Sequence, residues 1–366
     1  MAKESSLTVQ EKLNLIKQVG EEITTEEELK TLLSSNKPLT AYDGFEPSGR
    51  IHIAQGLLRA INVNKMAKAG FKFIMLASDW TAWANHKYGG DLEKIHRAGE
   101  YFIEIWKTSG MNLENVEFVW ASDLVKTPGY WELLMKIAIK NNLPRILRTV
   151  EIMGRKESDT LTASQVLYPL IQTTDIFMLK AQVTQLGMDQ RKVNMLAREV
   201  GEELELWKPV VVSHHMLLGL LPPDADNPNE STVDRAIRMK MSKSKPESSI
   251  FMTDTVEDVK RKIANAWCPE KVIKENPILE YCKYIVFEKS LNMLIKRLEK
   301  FGGDVEYKTY QDLEKDYADG KLYPLDLKNA LAEYLNTYLQ PVRDHFENDK
   351  TAKSLKEEVE SYSVTR

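Results

Sequence analysis

Hydrophobic and polar positions change their period several times along this chain, and each change marks an element. The first forty residues read as helix, with "TTEEELKTLL" supplying a threonine N-cap and acidic first-turn positions. Alternation then begins. "LTAYDGF" reads as a short strand closing at Gly44, and "GLLRAINVNKMAKAG" as an amphipathic helix stopped by Gly70. "FKFIMLAS" is a buried strand, "DLEKIHRAGEYFIEIWKTSG" a helix with an acidic start and a glycine end, and "VEFVWAS" the next strand. Strand–helix–strand units of this kind predict a parallel sheet covered by helices.

Residues 128–160 read as wholly helical and interrupt the alternation, as an inserted subdomain of about 123–162 would. The sheet pattern resumes in "QVTQLG" and "KPVVVSHH", followed by a loop rich in Pro, Asp and Asn, "LPPDADNPNESTVD". Beyond Pro246 the pattern is helical, as in "TVEDVKRKIANAW" and "LDLKNALAEYLNTYLQPVRDHF". The expected fold is α/β, a Rossmann-like doubly wound parallel sheet with a helical insertion, then an all-α C-terminal domain. A boundary near residue 247 divides 1–246, with its helical N-terminal segment 1–38, from 247–366.

Composition narrows the class. At 366 residues the chain fits two domains, and 43% hydrophobic with 28% charged residues is a globular balance. No apolar run approaches the roughly 18–20 residues of a membrane span. The start, "MAKESSLTVQEKL", has no apolar signal core and is not arginine-rich, so a cytoplasmic location is expected. Cys268 and Cys282 are too far apart for a CxxC pair and read as buried thiols in a reducing compartment. The six histidines form no HxxxH or HExxH pattern, so no protein-held metal is expected. A formal charge of −4 gives no global pull toward nucleic acid, and an RNA partner needs a local basic surface.

Four stretches carry candidate chemistry. In "AYDGFEPSGRIHIAQG", residues 41–56, Gly44, Pro47, Ser48 and Gly49 allow a tight turn, and His52 falls just ahead of a helix. A doubly wound sheet binds nucleotide phosphate at such a place; a turn histidine that merely caps the helix is the other reading. In "YPLIQTTD", Tyr168, Gln172 and Asp175 stand at i, i+4 and i+7 on a largely apolar helix. A carboxylate on a buried face needs a partner, which makes the stretch either a pocket floor or a polar stripe. "LGMDQRK" again enters a helix from a strand. Gly187 admits a ligand closely, Asp189 suits a ribose hydroxyl and Gln190 can reach the same pocket, although Asp is also a routine N-cap. Last, Lys240-Met241-Ser242-Lys243-Ser244-Lys245 sets three ammonium groups in a small-residue loop, solvated or anion-binding. Together with the His52 turn it can grip one triphosphate from two sides.

With these residues in view the chain resembles the class I aminoacyl-tRNA synthetases, and more narrowly the tyrosyl-tRNA synthetases of the archaeal–eukaryotic branch. Lys240-Met241-Ser242-Lys243-Ser244 matches the family's KMSKS loop unchanged. His52-Ile53 matches the first half of its HIGH signature, and Ala54-Gln55 departs from the second half. Tyr42, Tyr168, Gln172, Asp175 and Gln190 fall on the family's tyrosine-pocket positions. The likeness covers roughly residues 35–345.

The resemblance implies a tyrosine–tRNA ligase that makes tyrosyl-adenylate and pyrophosphate from tyrosine and ATP, then passes the acyl group to the terminal adenosine of tRNA(Tyr). His52, Lys240 and Lys243 are implied as catalytic donors to the phosphates, with Mg²⁺ carried on ATP. Gly44, His52, Gly187, Asp189 and the two lysines are implied to bind ATP, and Asp175 with Tyr42 to select a phenolic hydroxyl. Arg145 and Arg148, with Lys136, Lys140, Arg155 and Lys156, are a candidate acceptor-stem surface or an ordinary charged helix face. Tyr323 and Asp326 lie at the anticodon-reading positions, where Tyr323 can stack on a base and Asp326 accept from guanine; a nearby aromatic position of the archaeal pattern falls on Ile285. A homodimer is implied through the helical insertion, with no further RNA-binding extension. The alternatives are a tryptophan-specific relative and a catalytically inactive RNA-binding protein.

Overall fold

The computed structural model describes residues 7–35, 37–155, 159–224, 230–243 and 245–363. A six-stranded sheet runs in the order β1-β6-β5-β2-β3-β4, with β1 Gly20–Thr24, β2 Leu39–Phe45, β3 Phe71–Ala77, β4 Val116–Trp120, β5 Val183–Thr184 and β6 Val210–His214. Every pairing is parallel except β1 with β6. The chain lays down β2, β3 and β4 outward, then returns to place β5 and β6 on the other side of β2. The switch point is therefore between β2 and β5, where a crevice opens at the carboxyl ends of the strands.

Strand β1 corrects the expected helical N-terminal segment. Helices Val9–Lys17 and Glu26–Ser34 form there, each with a threonine capping box, but Gly20–Thr24 pairs antiparallel with β6 as an edge strand. Its local pattern is too short and too acidic to announce a strand, and only the free edge of β6 gives it a partner.

Helices Arg59–Lys68 and Leu92–Thr108 cover the sheet, the first stopped at Gly70 and the second at Gly110, both at positive φ. The insertion is less continuous than expected. It consists of helices Tyr130–Ile139 and Leu143–Thr149 and a short 3₁₀ turn, Val150–Met153, punctuated by left-handed Gly129 and Gly154. Within the Pro/Asp/Asn loop, helix Thr232–Met239 begins at the Ser231 cap. Residues 225–229 of that loop, Lys156 of the insertion and Ser244 of the lysine loop lie outside the described residues.

The tail is helical, with Val256–Asn265, the 25-residue Pro324–Asn348 and Lys350–Glu360, but it is not all-α. An antiparallel hairpin, β7 Met293–Ile295 and β8 Val305–Tyr307, interrupts it. One apolar cluster runs from Leu13 through the helices over the sheet to Val359 in the last helix. A second, around Tyr42, Tyr130, Ile171 and Ile176, lies on the opposite side of β2.

Candidate active site

Consecutive residues of a strand face opposite sides, and this places two sets of chemistry at the end of β2. Tyr42 joins the cluster that contains Tyr130 and Ile171, whereas Asp43 turns toward Arg59 on the other side. Between these walls and the ends of β3, β5 and β6 lies a cavity of about 660 Å³. Tyr42, Gly44, His52, Tyr168, Gln172, Gly187, Asp189, Gln190, Lys240 and Lys243 all line it. Four sequence stretches separated by up to 200 residues thus meet in one space.

Asp175 stands just behind this wall. It is 1% exposed, and its Oδ1 accepts a 2.6 Å hydrogen bond from the Tyr130 hydroxyl. Among the described residues its Oδ2 and the buried Tyr42 hydroxyl meet no hydrogen-bond partner. Burial drives the Asp175 carboxyl up to about 7; the Tyr130 bond opposes this and the Asp79 charge adds to it. Burial first, then the Asp175 and Asp43 charges, hold the Tyr42 phenol well above its ordinary range. Nearer the mouth, Gln172 donates to Gln190 Oε1 at 3.1 Å, and Gln190 donates to the Ile152 carbonyl at 2.9 Å. The Tyr168 hydroxyl lies against Glu46 and Thr81.

The opposite wall is built on the His52 turn. Gly49 sits at φ +59° and donates to the Tyr88 hydroxyl, and the backbone of Ile51 and Ile53 pairs with Ile250 and Met252 just beyond the lysine loop. Gly56 leaves room for the Met252 side chain, since a Cβ there would stand 2.2 Å from its sulfur and force it to shift. His52 is buried with its Nδ1 unpartnered among the described residues; burial, then the Lys243 and Lys240 charges, keep the ring neutral. Lys243 donates to the Ser48 carbonyl at 2.5 Å and lies 4.5 Å from the Phe102 ring centre. Burial and the Lys87 ammonium bring Lys243 down to about 7 against the pull of Glu46. Lys240 pairs with Asp189 at 2.5 Å, so the lysine loop already reaches the β5 side of the cavity.

Several residues of the site escaped the sequence reading. Arg59 is buried with its Nη1 2.5 Å from Asp43 Oδ2, and it also reaches Gln185 at 3.0 Å and His214 Nε2 at 3.0 Å. Burial raises Asp43 to about 7 although Arg59 opposes it, and burial with the Arg59 charge lowers His214 well below its usual range. Glu46 gathers Asn85 and Lys87 at the cavity edge. One signal was legible: an arginine inside the apolar run "LLRAI" has to find an acidic partner.

The residues assigned to RNA lie elsewhere. Arg145 pairs with Glu199 at 2.5 Å and Lys136 with Glu132 at 2.7 Å, whereas Arg148 is exposed. Arg155 lines the cavity rather than the insertion's outer face. Tyr323 is 55% exposed at the start of helix Pro324–Asn348. Ile285 is fully buried, so that position offers nothing to a base. A second exposed aromatic of this region is Phe301, in the β7–β8 loop that Arg297 ties to the Lys321 carbonyl at 3.1 Å.

The family model of the class I tRNA synthetases (W and Y) matches residues 34–340. The chain is 49% identical to tyrosine–tRNA ligase 1, cytoplasmic, of Arabidopsis thaliana, over 98% of this chain and 90% of that protein. It is 41% identical to the tyrosine–tRNA ligase of Thermococcus kodakarensis, over 96% and 99%. The crystal structure of tyrosyl-tRNA synthetase complexed with L-tyrosine from Pyrococcus horikoshii superposes with a TM-score of 0.89 at 37% identity, covering 96% of this chain and 100% of that one.

Proposed function

The chain belongs to the class I tRNA synthetases of the tryptophan and tyrosine group, and from that footing we propose that it is a tyrosine–tRNA ligase using ATP. One observation carries the choice of amino acid: two unpartnered polar atoms, Tyr42 Oη on the cavity wall and Asp175 Oδ2 just behind it. A phenolic hydroxyl accepts from the first and donates to the second. Phenylalanine leaves both unsatisfied, and a buried polar group without a partner costs about 1–3 kcal/mol, more when charged. Tyr168, Gln172 and Gln190 surround the place where the amino group of such a ligand falls.

In the first step a carboxylate oxygen of tyrosine bonds to the α-phosphorus of ATP, and the bond to the β-phosphate bridge breaks, releasing pyrophosphate. In the second a ribose hydroxyl of the terminal adenosine attacks the acyl carbon, and AMP leaves. No side chain becomes covalently attached, so rate comes from position and charge stabilisation. His52, Lys240 and Lys243 are the donors toward the phosphates. Gly44, Gly187 and Asp189 receive the nucleotide, and Mg²⁺ arrives on ATP as part of that substrate. The lysines sit on a loop, which suits donors that close on the transition state rather than on bound substrate.

The division into a catalytic unit of 1–246 and an anticodon-binding unit of 247–366 belongs to the same proposal. Exposed Tyr323 with Asp326, and Arg145 and Arg148, are its tRNA contacts, with Phe301 as a further stacking face. Trp131, Met135 and Ile139 are exposed at i, i+4 and i+8 on one helix, beside the Trp80–Trp83 pair, which supports a homodimer formed through the insertion. No described helix is long and apolar enough to cross a membrane; a cytoplasmic site of action completes the proposal. The test is ATP–pyrophosphate exchange with each amino acid in turn. Exchange with tyrosine alone is expected. Exchange driven by tryptophan, or by none, refutes the reading.

A further inference from the structure

The lysine loop is held in place from behind by a ribbon and a short helix that lie beyond the last strand of the sheet. Residues 217–219, just beyond β6, run extended and offer hydrogen-bonding groups on two edges. On one edge the Leu217 carbonyl accepts from Met241 N–H at 2.8 Å, and Gly219 N–H donates to the Met239 carbonyl at 2.8 Å. Leu218 therefore bridges to Lys240, and the ribbon fixes the backbone on both sides of that lysine. On the other edge the Leu218 peptide is gripped twice from the short helix Pro277–Tyr281. Its N–H donates to Glu280 Oε2 at 3.0 Å, and its carbonyl accepts from the Tyr281 hydroxyl at 2.6 Å. Tyr281 is wholly buried, and Glu280 also stands 3.2 Å from His215, a residue of the cavity wall.

We infer that Tyr281 and Glu280 are positioning residues for adenylate formation: from outside the six-stranded sheet they set the ribbon that sets Lys240. A paired ribbon shares its hydrogen bonds along both edges, so loosening the outer edge frees the inner one. The ammonium of Lys240 then samples a wider volume, and a donor displaced from the developing charge loses its worth in the transition state before it affects ground-state binding. The inference rests on the proposed role of the lysine loop at the phosphates.

The experiment uses the full chain and measures the rate of tyrosyl-adenylate formation, its tyrosine KM and the melting temperature. Tyr281→Phe is expected to slow adenylate formation about fivefold to tenfold, the worth of one such hydrogen bond, with tyrosine KM unchanged. Glu280→Ala is expected to do the same. Glu280→Gln, which keeps an oxygen for the Leu218 N–H, is expected to restore most of the rate. Tyr317→Phe is the control, because the hydroxyl of this buried tyrosine likewise donates to a backbone carbonyl, that of Pro269 at 2.7 Å, and also meets Cys268 Sγ at 3.2 Å, away from the ribbon. It should lower the melting temperature comparably and leave the rate alone. In a Lys240→Ala background, Tyr281→Phe should add nothing further. Equal rates for Tyr281→Phe and Tyr317→Phe overturn the inference, as does a full additive loss in the double variant. A Lys240→Ala enzyme with undiminished rate would sink the role of the lysine itself, a different result from an intact Lys240 effect with no Tyr281 effect.

Discussion

Replacing Asp175 by Asn separates selectivity from stability, because the two should move in opposite directions. The free protein holds this carboxyl at about 7 instead of 3.8, chiefly through burial. A folded-state pKa above the unfolded one means that the stabilisation is fully present below pH 3.8 and is lost as pH rises through about 7. A displacement of about three pH units corresponds to about 4 kcal/mol at most, the cost of ionising a carboxylate whose second oxygen has no partner. Asparagine keeps an oxygen for the Tyr130 hydroxyl and carries no charge, so this loss disappears. Asp43, also held near 7, is common to both proteins and cancels in the comparison. Toward substrate the effect reverses. The amide presents N–H groups where the phenolic hydroxyl needs an acceptor, and a hydrogen bond to a charged group contributes about 1.5–3 kcal/mol, or about 10- to 150-fold. The assay pairs thermal melting at about pH 5 and about pH 8 with kcat/KM for tyrosine and for phenylalanine in pyrophosphate exchange. The variant should melt no lower than the parent at the higher pH, lose tyrosine use by that factor, and show no loss of phenylalanine use. Parallel losses of stability and tyrosine use would show that Asp175 is a structural residue, and unchanged tyrosine use would remove it from the pocket.

Lys243→Ala should slow adenylate formation by about tenfold or more while tyrosine affinity holds, as expected of a donor acting at the phosphates; collapse of tyrosine affinity would place the loop wrongly, and calorimetric titration with tyrosine decides it. His215 supplies a pH test of the junction between β1, the cavity wall and helix Pro277–Tyr281. Burial opposes its charge, but Glu21 and Glu280 outweigh burial and hold it at about 9, with the ring stacked 4.4 Å from Tyr284 beside Lys283. Its contribution is therefore fully present below 6.5 and lost as pH rises through about 9, up to about 3 kcal/mol. His215→Gln should flatten that alkaline decline in melting temperature, and an unaltered decline would assign it to other groups.

Sequence by itself determined the elements whose period is long and whose caps are local. The parallel strands β2 and β3, the helix ended by Gly70 and the helix ended by Gly110 were legible because each buries a continuous face, and the half-buried edge strand β4 because its short apolar run follows the Gly110 stop. So were the chemical types at the site, since lysines clustered in a small-residue loop mark a solvated or anion-binding surface and a carboxylate on an apolar helix is costly without a partner. Tertiary structure decided the rest. Gly20–Thr24 is a strand only because β6 offers it an edge, and the β7–β8 hairpin is too short to show an alternation of its own. The pairing of Arg59 with Asp43, of Lys240 with Asp189, and of Tyr130 with Asp175 joins residues far apart in the chain. Periodicity reports which face of an element is buried but not what it is buried against. Which two faces meet depends on the order of strands in the sheet, and that order put β2 at the switch point, so that its back-to-back Tyr42 and Asp43 meet Asp175 on one side and Arg59 on the other.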